Sequence, residues 1–263
     1  MSEGTSTQMR FVHGGRKRRR GGRGVTSMLA MKKARTTGIK GVGKDETKYV
    51  DGYLDYTAIH EIGHDETWAD CELNPRQQTA VYGCLPMPRQ GDNYSDRDGR
   101  KIYVKHIFIK GVINVSQANT VTQATNNPIF RIIVVKDTRT NGTSLSAENV
   151  MGPGLGSDGQ ATLTSDSGVQ AFSSPDGWGR YEIVKDRTFK AVNNQAFNDG
   201  TDGAVNGYAI PFRMKVKCNC YVNFCDTPGA IASVIDNSWH VIGAVGNGLN
   251  PNISYQARTA FVG

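Results

Sequence analysis

Two histidines that flank a glutamate form the pattern in this sequence most typical of an enzyme site. His60, Glu61 and His64 match the H-E-x-x-H motif of zinc metalloproteases. On a helix, histidines at positions i and i+4 share a face and bind the metal, while the glutamate polarises the metal-bound water. The motif therefore predicts zinc-dependent hydrolysis, provided that it lies on a helix beside a substrate cleft.

The residues around the motif weaken this interpretation. In extended versions of the motif a glycine and a third ligand follow the second histidine, and here Thr67 and Asp70 occupy those positions. Upstream of the motif, four residues have a faint helical spacing that does not exclude a helix here: Tyr49, Tyr53, Tyr56 and Ile59. Because the rest of the chain is patterned as strands, we interpret this region as a polar loop or edge strand. We expect no catalytic residue, no metal site and no cofactor.

The N-terminal segment carries a different chemistry, a dense run of cations. Residues 1–50 hold 13 Lys and Arg against three acidic residues, a balance of +10, whereas residues 51–263 have a balance of −3. Glycines flank the cluster at residues 16–20, so charge repulsion and backbone entropy predict a disordered arm. The candidate nucleic-acid-binding residues are Arg10, Arg16, Lys17, Arg18, Arg19, Arg20, Arg23, Lys32, Lys33, Arg35, Lys40 and Lys44.

A disordered polycation binds phosphates without reading base sequence. Each neutralised phosphate releases condensed counterions, so the binding is non-specific and weakens as salt rises. Phe11 is the single aromatic residue before Tyr49, which favours charge neutralisation over base stacking. A solubilising tail without a partner is the alternative, and residues 28–31 give only a hint of a membrane-binding face. The cluster also fits a nuclear localisation signal made of Arg16, Lys17, Arg18, Arg19 and Arg20.

The remaining cysteines, histidines and aspartates fit structural roles better than chemical ones. Cys218 and Cys220 share the apolar face of a predicted strand, and Cys225 falls on the opposite parity, which favours core packing over a metal cluster. His106 and His240 lie in predicted strands, where we expect hydrogen-bonded structural histidines. Three aspartates lack the spacing of a calcium loop and leave a cation at a subunit contact open: Asp92, Asp96 and Asp98.

Length and composition narrow the class of protein. The chain has 263 residues, of which 38% are hydrophobic and 21% charged, too apolar for full disorder. Its longest aliphatic run, residues 132–135, is far shorter than the ~20 residues of a membrane-spanning helix. The N-terminus lacks the apolar stretch of a secretory signal. Five cysteines do not suggest a disulfide framework, and the odd number suits a reducing compartment.

The elements that must carry these residues alternate with a period of two. Residues 212–224 place Phe, Met, Val and Cys on one face and mostly Arg, Lys and Asn on the other. This alternation predicts a long strand with one buried face, and residues 253–261 repeat it. Residues 130–135 are apolar on both faces, which predicts a central strand that is covered on both sides.

One strand-like segment, residues 101–115, changes its parity. Its apolar face runs through Ile102 and Val104 and then through Ile107 and Ile109. The shift predicts a β-bulge near residues 105–106. Clusters of Asn, Gly, Asp and Ser separate the strands and favour turns. Seven or eight strands in about 215 residues predict one all-β sandwich or barrel.

Four segments of the chain share, in order, the pattern of one known family. They are residues 97–111, 131–151, 180–189 and 254–262. The first looks like the entry to an early jelly-roll strand, the next two like later strands and a loop, and the last like the closing strand. Together they resemble the capsid proteins of circular, Rep-encoding single-stranded DNA viruses (CRESS-DNA viruses). The similarity extends loosely to geminivirus and circovirus coat proteins.

The resemblance implies an all-β fold that is a single eight-stranded jelly-roll sandwich with a disordered basic arm. We accordingly expect an arm at residues 1–48, for nucleic-acid binding and nuclear targeting, and a shell domain at residues 49–263. The implied function is self-assembly into a small icosahedral shell, T=1 with about 60 copies, that packages circular single-stranded DNA. The implied partners are further copies of the chain, the DNA genome and the host nuclear import machinery. The implied locations are the virion and, during assembly, the host nucleus.

Two other functions stay open from the residues alone. The first is a nuclear nucleic-acid-binding protein that does not assemble, since a basic arm serves either role. The second is a zinc metalloprotease at His60, Glu61 and His64. DNA enters only through the resemblance, because a polycation binds DNA and RNA alike.

Overall fold

The alternating pattern of the sequence produces two antiparallel β-sheets in the computed structural model, so the prediction of an all-β fold is confirmed. The structure describes residues 46–59, 68, 71–77, 80–81, 83–115, 129–151, 169, 171–190, 208–246 and 251–263. The strands are β1 (Lys48–Ala58), β2 (Arg76–Gln77), β3 (Ala80–Val81), β4 (Lys101–Val115), β5 (Ile129–Asp137), β6 (Tyr181–Lys190), β7 (Tyr208–Asn223), β8 (Ser238–Gly246) and β9 (Asn252–Val262).

The first sheet, sheet A, has the strand order β3-β2-β1-β9-β4-β7, and the second, sheet B, has the order β6-β5-β8. A short segment, residues 71–73, continues sheet B at the other side of β8. Glu72 forms an antiparallel bridge with Ile242. The Leu73 amide donates to the Val241 carbonyl over 2.8 Å, and the Gly243 amide donates to the Cys71 carbonyl over 3.0 Å.

The strand pairs are nested along the chain. From the outside inwards, β1 pairs with β9, residues 71–73 pair with β8, β4 pairs with β7, and β5 pairs with β6. Two further pairings, β4 with β9 and β5 with β8, join these pairs into sheets. These strands therefore pair like the two halves of one long antiparallel ribbon, in which the first strand, β1, lies beside the last, β9.

The main core lies between the two sheets and includes the fully buried Trp239, Phe130 and Phe261. A second apolar cluster covers the other side of sheet B, where Ile133 and Ile242 pack with side chains from neighbouring loops. Strand β5 thus has apolar contacts on both faces, which explains its continuous aliphatic sequence and confirms the prediction of a doubly covered central strand. Residues Asp45–Gly263 form one compact unit.

Three sequence features of sheet A have the predicted geometry. Strand β7 alternates between buried residues such as Met214 and exposed residues such as Lys215. Strand β9 repeats the alternation. The register of β4 against both neighbours shifts between Val104 and His106, which confirms the predicted bulge.

The tyrosines upstream of the zinc-protease motif lie in a strand. The helix that their spacing had not excluded is therefore not formed over these residues. In β1, Tyr49 and Tyr53 point away from the core while Leu54 is buried. The strand pairs along most of its length with β9 and only at Tyr53 with β2. Period-two burial and pairing with β9 outweigh the weak helical spacing. The motif itself, for which we predicted a polar loop or edge strand, lies outside the described residues.

Membrane insertion through a helix has no candidate in the described part of the chain. None of the helical turns found there has the length and apolarity that crossing a bilayer requires.

Candidate functional site

The residues that the sequence singled out for chemistry lie mostly outside the described residues. This holds for every candidate nucleic-acid-binding cation from Arg10 to Lys44, and for His60, Glu61 and His64. Among the residues that the structure does describe, no group of three or more His, Cys, Asp or Glu side chains is arranged to hold a metal ion. The geometry of the site is therefore the geometry of the β-sheets and their loops.

The cysteines of β7 pack as apolar side chains. Cys218 and Cys220 are partly buried against the main core, as predicted. Burial raises the pKa of both thiols, which keeps them protonated and unreactive near neutral pH. Cys225, on the opposite parity, is exposed.

The loop aspartates do not converge on a common point. Asp96 is buried and accepts hydrogen bonds from the Asn93 side chain over 2.8 Å and from Arg89 Nε over 3.2 Å. Asp98 instead pairs with Lys48 over 2.8 Å. Both carboxylates therefore organise the loop before β4, and each has a protein partner.

His240 is a structural histidine, as predicted. Its Nε2 atom lies 2.7 Å from the Ser238 hydroxyl, and its Nδ1 atom lies 3.4 Å from the Asn74 amide nitrogen. The Asn74 carbonyl oxygen accepts from the Val241 amide, so its NH2 group faces the ring and Nδ1 is the acceptor. Burial lowers the pKa of His240 to about 4, and the ring is neutral at physiological pH.

The outward face of sheet A concentrates positive charge. Because side chains alternate across a strand, the residues opposite the core on β4, β7 and β9 form one surface, which we call the basic face. None of these three strands contains Asp or Glu. Every Lys and Arg of the three strands belongs to the basic face: Lys101, Lys105, Lys110, Arg213, Lys215, Lys217 and Arg258.

Strand register places aromatic rings between these cations. Phe108 pairs with Lys215 across β4 and β7, and the Lys215 Nζ atom lies 4.8 Å from the centre of the Phe108 ring. At the end of the same strands, Tyr103 pairs with Tyr221, with ring centres 5.1 Å apart. Lys101 Nζ lies 4.3 Å from the centre of the Tyr221 ring. The face therefore alternates cations and rings.

His106 belongs to the same surface and differs from its prediction. Its ring meets the Phe108 ring edge-on, with centres 4.7 Å apart, and no hydrogen bond to it is found among the described residues. Partial burial, Lys215 and Lys105 all lower the pKa of His106. A structural hydrogen bond was the wrong expectation, because the bulge turns this ring towards the charged surface.

The cations of the basic face largely lack acidic partners within the described part of the chain. Arg258 is the exception, since it binds Asp51 of β1 through both carboxylate oxygens at 2.6 and 2.5 Å. Sheet B is different, because each of its ion pairs joins neighbouring strands or loops: Arg131 with Asp186, Lys136 with Glu182, and Arg180 with Asp137. Among the described residues of β4, β7 and β9, the cations without an acidic partner thus lie on the outward side of β4 and β7.

A groove crosses this face between β1, β9, β4 and β7. It encloses about 690 Å³, and its lining includes Tyr53, Asp55, Lys110, Arg213 and Gln256. The groove offers a concave surface with two cations, Lys110 and Arg213, one carboxylate, Asp55, and an aromatic edge.

Sequence reasoning missed the basic face. The net charge of residues 51–263 is mildly negative because acidic residues elsewhere in this range outnumber the cations of the basic face. From net charge alone, positive charge was therefore expected only in the arm. The available signal was local: Arg213, Lys215 and Lys217 alternate with apolar residues over a segment without any carboxylate.

Comparisons with known proteins do not assign the chain to a family. No model of a protein family matches the sequence, and no curated protein matches it. The chemistry at hand is therefore that of the molecule itself, a basic arm and an all-β body with one basic, aromatic-rich sheet face.

Proposed function

We propose that the chain is a viral capsid protein that self-assembles into a small icosahedral shell, T=1 with about 60 copies, and packages circular single-stranded DNA. In this proposal residues 1–48 are the basic arm that binds the genome and directs nuclear import. Residues 49–263 are the shell domain, a single eight-stranded jelly roll without enzymatic activity. The protein resides in the virion and, during assembly, in the host nucleus.

The nested pairing of strands carries the fold part of the proposal. In a jelly roll an antiparallel ribbon of eight strands is folded so that the first strand pairs with the last, the second with the seventh, and so on inwards. Counting β1, residues 71–73, β4, β5, β6, β7, β8 and β9 as the eight strands gives all four of these pairs. The short β2–β3 hairpin then belongs to an insertion between the second and third strands.

The charge distribution supports genome packaging. A balance of +10 in residues 1–50 against −3 in the remainder separates a nucleic-acid-binding segment from the body. A shell of many copies multiplies the arm charge, and phosphate neutralisation by many basic arms needs no particular DNA sequence.

The resemblance to CRESS-DNA capsid proteins agrees with the positions of the strands. The four segments that carry it include parts of β4, β5, β6 and β9, which are structural elements rather than loops alone. Short patterns that coincide with strands in the same order support a shared architecture.

Exposed apolar side chains in the loop before β6 support contacts between copies. Phe172 is 89% exposed and Trp178 is 74% exposed in the single chain. Large apolar groups on a surface are typical of protein–protein contacts. A second copy of the chain is the partner that a shell requires.

The proposal is tested with purified, nuclease-treated full-length protein by negative-stain microscopy and sedimentation. Uniform small spheres that retain nuclease-protected nucleic acid, seen as a high ratio of absorbance at 260 to 280 nm, are the expected result. A slow monomer or dimer at all salt and pH conditions would contradict the shell and favour a non-assembling nucleic-acid-binding protein. Stoichiometric zinc that is lost in His64→Ala would favour the metalloprotease instead.

A further inference from the structure

We propose that the basic face of sheet A is a second binding site for single-stranded nucleic acid, separate from the arm. Its lysines and arginines hold phosphates, and its exposed rings stack bases. The inference rests on the proposed function for the identity of the polyanion, and it does not depend on assembly into a shell.

The first observation that supports this site is positive charge without acidic partners. Apart from Arg258, the cations of the basic face have no carboxylate partner among the described residues. They lie on three adjacent strands, so the positive charges are close to one another. Like charges on adjacent strands repel and lower stability. A bound phosphate chain removes this repulsion and releases its own counterions, so a polyanion is the complementary ligand.

The second observation is the presence of exposed aromatic side chains, which favour binding of single-stranded over double-stranded nucleic acid. Tyr221 is 55% exposed, and Lys101 Nζ lies 4.3 Å from the centre of its ring. Tyr53 of β1, beside the basic face, is 44% exposed and lines the same groove as Lys110. Unpaired bases stack on such rings, whereas the bases of a duplex are already stacked on each other. A cationic surface with interleaved rings is the arrangement that single-stranded nucleic acid requires.

The basic face lies next to the start of the described chain. Lys105 Nζ donates to the Thr47 hydroxyl over 2.6 Å, and Thr47 follows the last arm cation, Lys44, by three residues. Because both the arm and the face are rich in Lys and Arg, a polyanion complements the face better than a segment of the arm would. A nucleic-acid strand held by the arm is instead kept at high effective concentration near the face.

The first experiment compares two full-length triple variants that lose the same charge. K110Q/R213Q/K215Q, the groove variant, removes the two cations of the groove and the nearby Lys215 of the basic face. The control, R139Q/K185Q/K190Q, removes two lysines and one arginine outside sheet A. Fluorescence anisotropy measures binding to a labelled oligothymidine of about 16 nucleotides over a series of salt concentrations.

We expect the groove variant to bind more weakly and to lose about 2 from the slope of log K against log salt, since each phosphate contact on a single strand contributes about 0.7. The control should keep the wild-type slope. Equal affinities and slopes for the two variants would overturn the inference.

A second pair of variants tests stacking. Tyr221→Leu keeps an apolar side chain but removes the ring, and Tyr94→Leu makes the same change at an exposed ring in a loop outside sheet A. We expect about a tenfold loss of oligothymidine affinity for Tyr221→Leu, little change for Tyr94→Leu, and little change for either variant with a duplex of the same length. An equal loss for both variants, or no loss for Tyr221→Leu, would contradict stacking on this face.

Assembly assays separate this inference from the proposed function. If the wild type forms nucleic-acid-filled particles while the groove variant binds oligothymidine like its control, the face inference fails and the capsid function stands. If the groove variant binds oligothymidine normally but no longer assembles, the face is a contact between copies and the inference is overturned. If the wild type binds no single-stranded DNA at all, both fail.

Discussion

The Tyr255 hydroxyl on β9 donates a hydrogen bond to the Leu73 backbone carbonyl, across the core between the two sheets. Leu73 belongs to the short segment that pairs with β8 of sheet B, whereas β9 is a strand of sheet A. The ring of Tyr255 is fully buried, and this burial raises the pKa of its hydroxyl well above the ordinary value. One side chain thus fixes the short second strand of the nested ribbon against the closing strand.

Tyr255→Phe tests this link. The change leaves the ring in place but removes the only side-chain donor to the buried Leu73 carbonyl within the described residues. We expect a loss of about 1–2 kcal/mol in the free energy of unfolding, measured by urea denaturation. Tyr221→Phe, at an exposed ring, should be neutral. Equal stability of the two variants would mean that the hydrogen bond does not hold the second strand.

The ion pair between Arg180 and Asp137 predicts a large effect at the β5–β6 connection. Asp137 is fully buried, and Arg180 binds both of its oxygens, at 3.1 and 3.0 Å. Arg180→Ala leaves a buried carboxylate without its cation, so we expect a loss of about 3 kcal/mol in the free energy of unfolding. Adding Asp137→Asn should recover part of this loss, and Lys185→Ala should cost little. An Arg180→Ala protein as stable as Lys185→Ala would contradict the assignment.

His240 predicts how stability changes with pH. Burial lowers its pKa from 6.5 to about 4 in the folded chain, while in the unfolded chain it titrates at its ordinary value. The unfolded state therefore binds more protons between these two pH values. Stability should fall by about 3 kcal/mol from this residue as pH decreases through the window. Urea denaturation at several pH values measures the slope, which His240→Gln should reduce while His106→Gln leaves most of it. An unchanged slope in His240→Gln would exclude His240 as the source.

The exposed loop before β6 predicts a separation of assembly from folding. Replacing Phe172 and Trp178 together by serine removes two exposed apolar side chains. Because neither contributes much to the core, circular dichroism and thermal unfolding should stay close to the wild type. Particles seen by sedimentation should be lost or greatly reduced. Normal particles from the double variant would exclude this loop as a contact between copies.

The arm predicts a graded response to charge removal. Replacing all cations of residues 16–20 by glutamine in the full-length chain should lower the salt slope for oligothymidine binding by about 3, and a single replacement by less than 1. Salt titrations of binding measure both. A single replacement that abolishes binding would indicate a specific contact instead of distributed charge neutralisation.

The strands could be predicted from the sequence wherever one mechanism dominated the pattern. Buried alternation determined β7, and the double apolar cover determined β5. The bulge in β4 was visible because the apolar parity shifts between Val104 and Ile107. Residues 71–73 gave no such signal, since a pairing of three residues depends on β8 and on the distant hydroxyl of Tyr255.

The candidate site divides in the same way. The arm could be identified from composition, because dense like charge needs no fold to be recognised. The basic face could not, because Lys110, Lys215 and Arg258 are far apart in the sequence and meet only through the register of three strands. Net charge averaged over the body concealed them.

Reassembly from purified components tests the capsid function most directly. Full-length protein freed of nucleic acid is mixed with circular single-stranded DNA, and the salt concentration of the mixture is lowered to the physiological value. The mixture is treated with nuclease before sedimentation and microscopy. We predict uniform small particles that protect the circular DNA, and no protection when the cations of residues 16–20 are replaced by glutamine. Protein that stays monomeric or dimeric, with DNA fully digested, would contradict a capsid function.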